Sequence, residues 1–326
     1  MSEVRAKKAL GQHFLVDLNI ARKICDSLSG GEIVSPAVAG GPDAAGTAAV
    51  KRNAGNGAEG GEAMEPDGVA AGGAAAGMPE IAAAPDVAPD VAPGTKAAGR
   101  CDVLEVGCGM GVLTQFLLRR GDIVTYGAEI DPESVEYLHA HYPEFTPRLI
   151  EGDFLRMNLR ERFPDGLKII GNFPYNISSQ IFFKVLENRD LVPECVGMIQ
   201  KEVAVRLAEP PGSKEYGILS VLLQAWYDIE YLFTVNETVF NPPPKVKSAV
   251  IRLRRNGVER LGCDETLFVK VVKASFGQRR KMIRNSLRSV FGNFGGAEHP
   301  FFTQRAEQLS VADFVELTGW VAANRV

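Results

Sequence analysis

An α/β fold, with an open and mostly parallel sheet covered on both faces and a small all-helical domain closing the chain, is what the order of patterns in this sequence predicts. Residues 101–256 alternate short apolar runs with amphipathic stretches, whereas the residues after Asn256 carry helical periodicity alone. Polar clusters also fall in a regular place. EVGCGMG, EID, EGDF and GNFPYN each lie at the end of an apolar run, and open parallel sheets bind ligands outside the carboxyl ends of their strands.

Taken in order, residues 1–33 read as an arm and a helix. The arm is basic, and its GQHFL carries an apolar anchor in Phe14 and Leu15. Ile20, Ile24, Cys25 and Leu28 then share one helical face, with Asp17 as N-cap. Residues 34–99 differ in kind: 41 of the 66 are Ala, Gly or Pro and none is aromatic. Such a segment buries too little apolar surface to offset its ordering entropy, so it reads as a disordered insertion. Within 100–256, DVLEV, IVTYGAEID, RLIEGDF, LKIIGNFPY and CVGMIQ read as strands, and IEYLFTV with SAVIRLRR as a closing pair. VLTQFLLRRG reads as a helix ended by Gly121, and PESVEYLHAHY as one with Pro132 in its first turn. SSQIFFKVLENR reads as a helix capped by Ser178 or Ser179; EVAVRLAE and ILSVLLQAWYD are two more. Over 257–326, ETLFVKVVKASF, RKMIRNSLRSVF and VADFVELTGWVAAN read as helices.

No apolar run is long enough to span a membrane, and the first residues contain no signal-like apolar stretch. Five scattered cysteines, without C-x-x-C or zinc spacing, point to a reducing cytoplasm and to no metal site. The formal net charge is −4, but the 34–99 segment alone contributes −5. Residues 245–288 hold thirteen Lys or Arg against three acids, a local balance of +10. That sign suits contact with phosphates.

Within GNFPYN, the Asn172 side-chain oxygen and a backbone carbonyl, that of Pro174, can accept both hydrogens of a flat NH2 group while Tyr175 stacks on its plane. In EVGCGMG, Gly107 and Gly109 permit a tight turn, and Val112 breaks the G-x-G-x-x-G/A fingerprint of dinucleotide sites. The loop therefore suits a nucleoside cofactor without a pyrophosphate. Glu129 can accept both ribose hydroxyls of such a nucleoside, and Asp153 an adenine amino hydrogen. Each alone also fits an ordinary turn, strand end or helix cap; together they are far more specific.

The sequence GQHFL, E-x-G-x-G-x-G, E-x-D, GD, N-x-P-Y, VFNPPPKVKSAV and FGQRRKMIRNSL, in this order, resembles the KsgA-type ribosomal RNA adenine dimethyltransferases. The resemblance covers nearly all of the chain outside 34–99. It implies a Rossmann-like S-adenosylmethionine-dependent methyltransferase sheet with a helical RNA-binding domain. It also implies a reaction, the transfer of two methyl groups to N6 of each of two adjacent adenosines near the 3′ end of small-subunit rRNA. The family's cofactor positions map onto His13, Leu15, Gly107, Glu129, Asp153 and Asn172. Four departures stand out: Cys108 where Pro is frequent, His13 where Asn is also common, Phe173 for a frequent Leu, and the 34–99 insertion.

On this reading Tyr175 stacks on one face of the target base and Phe240 on the other. The base has to be unpaired or flipped out to reach them. Helical spacing over 279–291 gathers Arg280, Lys281, Arg284 and Arg288, with Arg279, into a basic stripe beside Ile283 and Leu287. The expected partner is small-subunit rRNA or a precursor particle, met by a cytoplasmic monomer without membrane contact. N-x-P-Y pockets also suit protein glutamine amides, so a protein methyltransferase is the nearest alternative. A ribosome-assembly RNA-binding factor without activity is another, and an NAD oxidoreductase is the weakest.

Overall fold

The computed structural model describes residues 4–30 and 100–325; the expected insertion at 34–99 lies outside the described residues. Seven strands form one sheet. Its parallel part comprises β2 (Cys101–Val106), β3 (Ile123–Glu129), β4 (Leu149–Glu151), β5 (Lys168–Asn172) and β6 (Glu194–Gln200). The antiparallel β7 (Tyr227–Val235) and β9 (Ser248–Arg255) extend it, giving the order β4-β3-β2-β5-β6-β9-β7. The sheet is the open, mostly parallel α/β arrangement that the patterns implied, and it agrees with the Rossmann-like architecture that the resemblance implied. A second, two-stranded sheet was not foreseen. In it, β1 (Phe14–Leu15) pairs with β8 (Phe240–Asn241), Leu15 opposite Phe240.

Successive residues of the central strands feed opposite faces, as the two-residue period of a strand requires. Ile169 joins the larger core and Ile170 the smaller; Cys195 and Val196 divide the same way. The smaller core is closed by α1 (Leu18–Asp26), through Ala21, Ile24 and Cys25, with Asp17 capping it by accepting from the amides of Asn19 and Ile20. The larger core runs without interruption into α8 (Glu265–Gly277), α9 (Ile283–Phe291) and α10 (Val311–Asn324). Trp226 meets Phe268 of α8 edge-on, with ring centroids 6.1 Å apart. No strand follows Arg255 among the described residues.

Helix ends depart from the periodic reading in three places. The stretch VLTQFLLRRG holds only the four-residue α2 (Thr114–Leu117), because turns occupy both flanks. In α5 (Ser178–Glu187) the N-cap is Ile177, without a side-chain bond; Ser178 lies inside and its hydroxyl donates to the Tyr175 carbonyl. Helix α9 starts at Ile283, after an extended Met282, so residues 279–282 form a turn before it.

The amino ends of the strands, opposite the polar clusters, carry a buried ionic tie. Lys168 and Glu194 lie 3.5 Å apart with side chains only 5% and 3% exposed. Lys168 Nζ also donates to the Ser29 carbonyl and hydroxyl, each at 2.9 Å. This anchors the end of the segment that follows α1. Removing Lys168 leaves the buried Glu194 with only the half-exposed Arg254, at 3.4 Å, as a cationic partner. Lys168→Ala is expected to lower the unfolding free energy by about 3 kcal/mol in urea titrations.

Candidate active site

The carboxyl ends of β2, β3, β4 and β5 converge on one cavity, and a short N-terminal segment crosses its mouth. Its floor is the loop Gly107–Gly111. The Gly107 amide donates to the Ala128 carbonyl at 2.9 Å. Gly109 takes φ +54°, and a Cβ there would stand 3.2 Å from the Phe14 ring, so both conformation and space call for glycine. Glu129 holds this floor. Its Oε2 accepts from the Gly109 amide at 2.8 Å, and its Oε1 accepts from the amides of Ile130 and Asp131, each at 2.9 Å. Burial nonetheless pushes its carboxyl above the usual range.

Glu105 is buried beside it and accepts from the Thr114 hydroxyl at 2.6 Å. Desolvation drives its carboxyl up to about 8, against the lowering effect of the Thr114 bond and with a further push from the Glu129 charge. Two buried carboxyl groups line the cavity, and a positively charged ligand beside them favours their ionised form. They fit the sulfonium and ammonium groups of S-adenosylmethionine.

The N-terminal segment is fastened at both ends of the mouth. Lys7 pairs with Asp131 and, at 3.0 Å, with Glu133. Gln12 donates to Asp131 at 3.2 Å. His13 Nδ1 donates to the Pro242 carbonyl at 2.8 Å, which sets the tautomer of the neutral ring. The His13 carbonyl accepts from Asn172 Nδ2 at 2.9 Å. The donor end of the Asn172 amide is thereby used, and its Oδ1 engages no protein donor among the described residues. Tyr175 lies 5.3 Å from the His13 ring, tilted by 33°, and its hydroxyl bonds the Ser248 hydroxyl at 2.5 Å.

His13, Leu15, Gly107, Glu129, Asp153, Asn172, Pro174 and Tyr175 all border the cavity. Two more of these are partly engaged. Asp153 caps the turn Phe154–Arg156 through the Leu155 amide at 2.8 Å, leaving its other oxygen 3.6 Å from Arg156. The Pro174 carbonyl accepts from the Ile177 amide at 3.1 Å, with one lone pair left.

Two expectations need correction. Phe240 is not a cavity wall: pairing with Leu15 turns it into the smaller core, where it is 4% exposed. Phe173 borders the cavity, and its ring fills the space above two glycines and meets Phe182 edge-on. A Cβ at Gly197 would stand 2.4 Å from that ring, so the bulk of Phe173 is matched beneath it. The basic stripe is also divided. Only Arg284 and Arg288 lie on α9, and both pair with Glu298, at 2.6 and 3.3 Å. Arg279 donates to the carbonyls of Lys214 and Tyr216, which leaves Arg280 and Lys281 exposed on the turn.

Gln12, Asp131, Thr114 and Ser248 went unnoticed in the sequence because each acts through a partner more than one hundred positions away or through another side chain. Gln12 of GQHFL, Asp131 of E-x-D and Ser248 of VFNPPPKVKSAV lie within motifs whose other residues drew the reading. A further set, Lys201, Lys245 and Lys247, is exposed beside the mouth, where the Lys201 amide donates to the Lys247 carbonyl at 2.9 Å.

Residues 92–322 match the family model described as ribosomal RNA adenine dimethylase. The chain belongs to that family. It is a methyltransferase, with S-adenosylmethionine as methyl donor. A ribosomal RNA small subunit methyltransferase A of Porphyromonas gingivalis is 48% identical over 98% of this chain and 98% of its own length. One of Bacteroides fragilis is 57% identical over 98% of this chain and 94% of its own. Among solved structures, a dimethyladenosine transferase from Plasmodium falciparum superposes with a TM-score of 0.59 at 24% identity, covering 69% of this chain and 90% of that one. The last likeness speaks for the fold.

The raised Glu105 carboxyl has a pH consequence. Its folded value of about 8 lies above the ordinary 4.5, so the native state holds the extra proton between them. The stabilisation is full below about pH 4.5 and is lost as pH rises through 8. Unfolding titrations of the free protein are expected to show stability falling from pH 5 to pH 8, with a flatter profile in Glu105→Gln.

Proposed function

We propose that this chain dimethylates N6 of two adjacent adenosines near the 3′ end of small-subunit (16S) rRNA during small-subunit biogenesis. It would act in the cytoplasm, as a monomer, on the rRNA or a precursor particle. The observation that carries the reading is the Asn172 amide, whose donor end is taken by the His13 carbonyl at a cavity floored by buried carboxylates. The curated relatives are named for the small-subunit RNA, and at about half identity over their full length they support the same substrate here.

S-adenosylmethionine supplies an electrophilic methyl group. The Gly107 loop, Glu129, Asp153, His13, Leu15 and Asn172 would hold it, with Glu129 accepting from ribose hydroxyls and Asp153 from the adenine amino group. The remaining work falls to the chain's own groups. An adenine N6 lone pair is delocalised into its ring and is a poor nucleophile. Asn172 Oδ1 and the spare lone pair of the Pro174 carbonyl accept the two N6 hydrogens, which lets the nitrogen pyramidalise. The N6 proton becomes acidic only as the new N–C bond forms, so no strong base is needed. Positioning and desolvation supply the catalysis. After the first transfer one N–H remains, and the base has to reseat.

The RNA strand would meet Arg280 and Lys281 on the helical part, 257–326, which we assign as the RNA-binding domain. Lys201, Lys245 and Lys247 would take phosphates nearer the mouth. These exposed cations favour RNA over a protein amide as substrate.

Asn172→Ala is expected to lower kcat at least 100-fold while RNA binding, followed by filter retention, persists; unchanged turnover would sink the mechanism. Mass spectrometry of rRNA from cells lacking the protein should show loss of dimethyladenosine near the 3′ end of the small-subunit RNA. Retention of that nucleoside would refute the substrate assignment.

A further inference from the structure

The bond between the Tyr175 and Ser248 hydroxyls joins two parts of the chain that the reaction has to coordinate. Tyr175 sits in the turn after β5, and Ser248 opens β9. Strand β6 lies between them in the sheet, so the 2.5 Å bond spans its carboxyl end. Ser248 is fully buried, so water does not compete for its hydroxyl. Neither its side chain nor its backbone borders the cavity, whereas the Tyr175 ring forms part of the wall. The ring has one other aromatic neighbour, His13, at 5.3 Å. A phenol held at its hydroxyl end and flanked on one side keeps its plane; released from Ser248, it can tilt about its Cα–Cβ bond.

We propose that Ser248 is a positioning residue for methyl transfer, fixing the plane of the Tyr175 ring and so the seat of the target base without touching that base. Ser248 follows directly on the exposed loop 242–247, whose Pro242 carbonyl accepts from His13 and whose Lys247 carbonyl accepts from Lys201. The hydroxyl pair therefore links an RNA-facing loop to the stacking wall. The second transfer depends on it more than the first. A monomethylated N6 offers a single N–H to Asn172 and Pro174, so the stacking plane carries more of the alignment.

This inference rests on the RNA-adenine reading above, and one experiment separates the two. Wild type, Ser248→Ala, Tyr175→Phe and the double variant are assayed on small-subunit particles lacking the modification. Initial rates, S-adenosylmethionine Kd, thermal midpoint and the ratio of mono- to dimethyladenosine are recorded. Tyr175→Phe removes the same bond from the other side while keeping the ring, so the test survives if one variant folds poorly. Each single variant is expected to lose about tenfold in kcat and to accumulate monomethyladenosine, with KM for the particle and cofactor Kd unchanged. The double variant should be no worse than either single one, since only one bond is lost. Additive losses, a defect confined to cofactor affinity or thermal midpoint, or wild-type product ratios would overturn the proposal. Failure of the wild type to form dimethyladenosine would overturn the substrate reading together with it.

Discussion

A side-chain amide has one donor end and one acceptor end, and whichever is occupied decides what the other can do. Asn172 ends a parallel strand with its nitrogen donating to the carbonyl of His13, a residue 159 positions earlier. That bond leaves the oxygen as the end available to an incoming amine. It holds only while the N-terminal segment lies across the sheet, so the catalytic geometry depends on every contact that keeps the segment there. Lys7 and Gln12 fasten it to Asp131, His13 to Pro242, and Phe14 with Leu15 to the short strand of Phe240 and Asn241. The segment is a structural member of the site despite its polar, arm-like sequence.

Two buried acids, Glu105 and Glu129, line the same cavity. Enclosed, they are desolvated, and their carboxyls rise above the usual range. Glu129 offsets part of that cost with three backbone amides, and Glu105 with one hydroxyl. A cationic ligand completes the balance. Ionisation of these acids beside a sulfonium compound would make binding and the shape of the glycine loop parts of one electrostatic arrangement.

Charge in the helical part, 257–326, is arranged differently from its distribution along the chain. Glu298 comes after the basic run of 279–288 and folds back to meet Arg284 and Arg288, while Arg279 is spent on two carbonyls. Local composition therefore overstated how many cations α9 offers to a phosphate backbone. Exposed lysines stand on two other segments, Lys201 and the 242–247 loop, and that loop adjoins the cavity through the Pro242 carbonyl, which accepts from His13.

The sequence alone determined the sheet, its strand ends and most of the cavity wall. Strand runs declare themselves by apolar periodicity, and loop chemistry at their carboxyl ends is local: Gly107, Glu129, Asp153 and Asn172 could be read within a few residues of each. It also determined Asp17 as a cap, because capping acts over three positions. Tertiary structure decided what each side chain faces. Phe240 and Phe173 are aromatic in either setting, and only the pairing with Leu15 and the glycines at 171 and 197 place them inside. Helix α9 begins late because Met282 is extended, a backbone choice that helical spacing does not reveal. Ser248 gives no signal of its own, since its role consists of one bond to a residue 73 positions away. Periodicity and turn chemistry are short-range and survive in one dimension; hydrogen bonds and ion pairs between distant residues exist only once the chain has folded.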